Sequence, residues 1–96
     1  MAADNDKAFY ARADAFIDLA NQHVTTVERD RISASLMYAS ARFNAWVSAT
    51  EFSSGDDMRA AKPARIAYFV ELYRTMLEEN MESYTRNFAD YMKQDD

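Results

Sequence analysis

Residues 66–92 read IAYFVELYRTMLEENMESYTRNFADYM, and the spacing of the apolar positions in this stretch decides the fold class. Ile66, Val70, Tyr73, Leu77, Met81, Tyr84, Phe88 and Tyr91 follow one another at steps of three and four, the period of a helix face rather than the two-residue alternation of a strand. Phe69, Met76 and Met92 widen the stripe. Pro63 is comfortable in a first helical turn and disruptive in an interior, so the pattern predicts a helix over about 63–93. Such a helix is roughly 45 Å long, against nearer 30 Å for each of the two that precede it. Its far end, with Tyr84, Phe88, Tyr91 and Met92, therefore overhangs, and a second copy of the chain is the economical cover for those four residues.

Turn chemistry is confined to one short region upstream. The only glycine, Gly55, and the only proline, Pro63, stand eight positions apart. Ser53-Ser54-Gly55-Asp56 reads as the turn, with Ser54 and Asp57 able to cap a short helical segment. Before it, Ile32, Leu36, Ala39, Phe43, Trp46, Val47 and Thr50 form a second stripe, while Ala34, Tyr38, Ala41, Ala45 and Ala49 make the opposite side nearly as apolar. This predicts a helix over about 31–51 capped by Asp30, with Thr25 and Glu28 as a competing box that starts it earlier. Arg42 is its one charge between Ile32 and Thr50, so the helix is expected to be central and enclosed. A first helix over about 5–22 places Phe9, Ala13, Phe16, Ile17 and Ala20 on one face and ends near His23. The fold class expected is all-α: one three-helix domain over 1–96 with a long C-terminal helix, assembling into a helical homodimer.

Composition excludes much. Of 96 residues 49% are hydrophobic, enough for one domain to form a core without crosslinks. Cysteine is absent, which removes disulfides, thiolate zinc sites and cysteine nucleophiles and suits a cytoplasmic, reducing address. Met1-Ala2-Ala3-Asp4-Asn5-Asp6 carries acids where an export signal carries Lys or Arg, and no run nears the roughly 20 apolar residues of a membrane span. The net charge of −5 is unevenly laid out. Arg29, Arg31, Arg42, Arg59, Lys62 and Arg65 form a basic waist between acidic ends, a layout suited to protein packing on protein better than to phosphate.

Three stretches carry a likeness to a known family. Residues 13–21 (ADAFIDLAN), 33–45 (SASLMYASARFNA) and 68–80 (YFVELYRTMLEEN) resemble, in this order, the small bacterial proteins grouped as domain of unknown function 3144. The resemblance implies a bacterial, largely proteobacterial origin and carries over no catalytic residue. The intervening segments 22–30 and 52–64 fall outside it, as loops would.

Candidate chemistry is sparse. Asp14 with Asp18, and Glu78 with Glu82, stand one helical turn apart, a spacing from which metal sites in bundles are built, yet the Glu-x-x-His repeats of diiron bundles do not occur. No metal and no cofactor is expected. His23, the one histidine, suits the negative end of the first helix's dipole. No Gly-x-Ser-x-Gly elbow and no glycine-rich loop exists, so catalytic residues are expected to be none. Arg42 is the most informative polar residue: enclosed, it needs a carboxylate, with Asp14, Asp18, Glu71 and Glu78 as candidates. Asn44, Asn80 and Asn87 are candidates for setting helix register. Arg65 beside Tyr68 and Phe69 could stack on bases, but the acidic total and the helical spacing of the aromatics speak for protein contacts and against nucleic acid.

The function expected is that of a non-catalytic homodimeric adaptor or regulator with a protein partner. The alternative is a small-molecule or metal binder with a pocket between helices near Arg42.

Overall fold

The computed structural model describes residues 6–93, and four helices account for almost all of them: α1 Asp6–His23, α2 Arg29–Ala49, α3 Gly55–Arg86 and α4 Phe88–Met92. No strand occurs among the described residues. The all-α class with a long C-terminal helix read from the apolar spacing is thus the class observed. By proximity the chain forms two compact units, Met1–Ala45 and Trp46–Asp96.

In the first unit, α1 ends where the backbone turns back on His23, whose carbonyl accepts from the amides of Thr26 and Val27, each at 3.0 Å. Thr25 Oγ1 donates to the Gln22 carbonyl at 2.9 Å. That bond ties Thr25 to the helix behind it and removes it as a cap for the helix ahead. α2 starts at Arg29, two residues before the expected start, because the Glu28 carbonyl already accepts from Arg31 and Ile32, at 3.1 and 3.2 Å. Asp30 therefore lies within the first turn, where its charge favours the helix dipole, rather than at the cap.

The second unit holds the end of α2, the turn and the long helix. Ser54 takes an extended conformation (φ −155°, ψ 159°) and its hydroxyl accepts from the Asp57 amide at 3.1 Å, which caps α3. The segment this pair was expected to cap is not separate: α3 starts at Gly55 and carries Pro63 in its interior, against the expected start at Pro63. The physical reason is the strength of the N-terminus. The serine cap, Asp56 and Asp57 in the first turn, and the Arg59–Asp56 ion pair at 2.9 Å together offset the backbone bond that Pro63 cannot make.

The far end differs as well. Instead of running unbroken to Lys93, α3 stops at Asn87 (φ −112°, ψ 29°), and both the backbone N and Nδ2 of Asn87 donate to the Ser83 carbonyl at 3.0 Å. With one carbonyl taking two donors, the chain leaves the helical path and α4 packs back on α3. Tyr91 lies against Tyr84 with ring centroids 4.3 Å apart, and its hydroxyl is 3.1 Å from Ser83 Oγ.

Burial is where expectation and structure part most clearly. Among the described residues no apolar side chain is buried; Ser48 alone is, at 3% exposure. α2, expected to be enclosed, presents Leu36, Met37, Tyr38, Phe43 and Trp46 at the surface. Within the first unit α1 and α2 do not approach closely enough to cover one another's apolar rows.

Candidate interaction surface

Large apolar side chains stand exposed on all four helices, and they are the surface that an interaction could use. Among the described residues no group of three or more His, Asp or Glu side chains comes together as metal ligands. An open depression of about 490 Å³ is lined by Val24, Val27, Glu28, Arg29 and Asp30 in the turn between α1 and α2, and Arg42 does not line it.

The polar candidates fall as follows. Arg42 is exposed, as are Asp14 and Asp18, and Asn44 is half-buried. Glu71 and Glu78 flank Arg74, at 3.7 and 3.6 Å, in an ion-pair ladder along the outside of α3. A residue three or four positions away on the same helix reaches a carboxylate at little conformational cost, which is why Arg74 takes both. Asn80 and Asn87 turn their amides inward to their own helix, donating to the Met76 and Ser83 carbonyls at 2.8 and 3.0 Å.

On α3 the apolar row is continuous. Ile66, Val70, Tyr73, Leu77, Met81 and Tyr84 are all about half exposed, from 45% at Leu77 to 61% at Met81. Their mean spacing is the helical 3.6, so the row runs straight along one side for five turns. A different side of α3 carries Met58, Ala61, Arg65 and Phe69, all half-buried, roughly a third of a turn away around the helix. Of the four overhang residues, Tyr84, Phe88 and Tyr91 are exposed and Met92 is half-buried. The turn at Asn87 pairs two of them, Tyr84 and Tyr91, with each other.

Arg65, read in the chain beside Tyr68 and Phe69, has other partners in the structure. It bridges to Glu51 and lies over the Phe52 ring, 4.9 Å from the centroid. Its position next to the turn was the available signal, but nothing local shows which way its long side chain reaches.

The sequence profile of a family described as "Protein of unknown function (DUF3144)" matches residues 9–85. The chain belongs to this family. A solved relative agrees with its fold: the NMR structure of the protein NB7890A from Shewanella sp is 43% identical, superimposes with a TM-score of 0.76, and covers 93% of this chain and 95% of its own. No curated protein matches the chain. The likeness to DUF3144 read from residues 13–21, 33–45 and 68–80 is therefore the family shown. Among the described residues no helix is long and apolar enough to cross a membrane.

Proposed function

We propose that this DUF3144 protein is a non-catalytic, homodimeric helical interaction module, an adaptor or regulator of the bacterial cytoplasm that works through its surface. One observation carries the reading: among the described residues no apolar side chain is buried, while rows of large ones stand at the surface. Helices draw most of their stability from packing an apolar face, and isolated ones are marginal in water. A chain rich in exposed apolar rows meets that need by association, and obligate dimers commonly have no stable folded monomer. The net charge of −5 and the lack of cysteine support a protein partner in a reducing compartment over a nucleic-acid one.

Size-exclusion chromatography with light scattering tests the assembly; a folded monomer at micromolar concentration overturns the proposal. Native mass spectrometry of protein purified from its own cells tests the rest. A stoichiometric metabolite or metal on the chain replaces the adaptor reading with that of a small-molecule or metal binder.

A further inference from the structure

We infer that Tyr84 and Tyr91 form a site of oxidative coupling, at which a one-electron oxidant joins the two rings by a carbon–carbon bond and fastens α4 to α3. The inference stands on the chain's own fold and does not depend on the dimer proposed above.

The turn at Asn87 makes the pair. Seven positions apart on an unbroken helix, the two tyrosines would be separated by about 10 Å along the axis, too far for their rings to touch. In the structure the ring centroids are 4.3 Å apart with 29° between the planes, and the Tyr91 hydroxyl lies 3.1 Å from Ser83 Oγ. That separation is at the short end of the range for packed aromatic pairs. The other tyrosines have no such partner among the described residues. Tyr10 and Tyr68 meet Phe9 and Phe69, rings with no phenol to oxidise, and Tyr38 and Tyr73 stack on no second ring. Tyr84 and Tyr91 are 50% and 45% exposed, so an oxidant in solution reaches both. The chain has no cysteine, the side chain that most readily reduces a tyrosyl radical before it can couple.

The oxidant is a haem peroxidase working on hydrogen peroxide. Each phenol gives up one electron and its hydroxyl proton. The two radicals then pair their electrons in a bond between ring carbons adjacent to the oxygens. Each of those carbons releases its hydrogen as a proton, and each phenol oxygen regains one. In sum the pair loses two hydrogens, as two electrons and two protons, and one peroxide becomes two waters. The product holds α4 on α3 by a covalent bond where a ring stack and an exposed hydrogen bond held it before.

Peroxidase and hydrogen peroxide applied to the full chain test the site. Trypsin cuts after Arg74, Arg86 and Lys93, so the expected product is the 75–86 peptide joined to the 87–93 peptide, lighter than their sum by two hydrogens and fluorescent as a biphenol. In a mixture of ¹⁵N-labelled and unlabelled chains the joined peptides should be wholly one or wholly the other. Hybrid pairs mean coupling between copies and overturn the inference. Equal coupling at Tyr10, Tyr38, Tyr68 and Tyr73 also overturns it, because exposure and not the stack would then select the site; so does a chain left uncoupled. Tyr84→Phe keeps a ring in the stack and the Ser83–Tyr91 hydroxyl pair and removes one reacting phenol. The joined peptide and its fluorescence should vanish in that variant, and fluorescence equal to the parent's overturns the assignment of the pair.

Discussion

Arg65 Nη2 lies 2.5 Å from Glu51 Oε1, joining residues fourteen positions apart across the short link between α2 and α3. The same guanidinium covers Phe52, so one side chain holds the link that follows α2 and the third turn of α3 in a fixed relation. Both partners are partly exposed, 34% for Arg65 and 53% for Glu51, and the bridge is correspondingly worth less than a buried one. Together with the cation–π contact it contributes about 1–1.5 kcal/mol.

Arg65→Met should accordingly lower stability to chemical unfolding by about that amount, and Arg65→Lys should recover less than half of it, because an ammonium cannot both bridge and stack flat on a ring. Urea melts of the three proteins at low and high salt measure it. Equal stability of the methionine variant and the parent would show that the turn holds without this residue.

Ser54→Ala removes the hydroxyl that accepts from the Asp57 amide. The loss expected is about 1 kcal/mol, felt mainly between Gly55 and Pro63, where the helix already lacks one backbone bond. Hydrogen exchange should accelerate at Asp57 and Met58 and stay unchanged beyond Ile66. Uniform acceleration along α3 would contradict a local cap.

Ser48 is 3% exposed and its hydroxyl has no hydrogen-bond partner. A buried donor without a partner costs free energy that a methyl group does not, and alanine is the better helix former. Ser48→Ala should raise stability by up to about 1 kcal/mol, whereas Ser48→Leu should lower it by about 1–3 kcal/mol through overpacking. A destabilised alanine variant, read by thermal or urea unfolding, would mean that the hydroxyl has found a partner in the folded protein.

Asn87 ends α3 by sending two donors to the Ser83 carbonyl. Asn87→Ala removes one of them and supplies a strong helix former, so α3 and α4 should fuse into one helix. The signature is a gain in helical circular dichroism together with loss of the Tyr84–Tyr91 ring contact in nuclear Overhauser spectra. Retention of that contact in the alanine variant would place the cause of the turn elsewhere.

Helix identity and family were legible in the chain because both are carried locally, by three- and four-residue apolar spacing and by three contiguous stretches. The Ser54 cap was legible for the same reason: a hydroxyl three residues before the amide it accepts from. Helix limits were less so. Pro63 reads as a start, yet the cap and acids before it sustain two turns ahead of the proline, a balance of several terms of about 1–3 kcal/mol that pattern alone does not weigh. The break at Asn87 was hidden because asparagine is compatible with both a helix interior and its end, and the Tyr91 contact with Ser83 and Tyr84 exists only once the chain has turned. Arg42 stood out by being alone among apolar neighbours. Its exposure could not be read from that solitude, since burial depends on what other surfaces cover a helix.

By itself the sequence determined the all-helical class, the Ser54 cap, the family, and the apolar row from Ile66 to Tyr84, all of which follow from residues within a few positions of one another. Only the tertiary structure decided that Arg65 reaches back to Glu51, that Tyr91 folds onto Tyr84, and that the apolar rows stand uncovered. Those are properties of residues brought together by the path of the backbone, where small differences in desolvation, side-chain reach and packing select one contact among many that the spacing of residues permits.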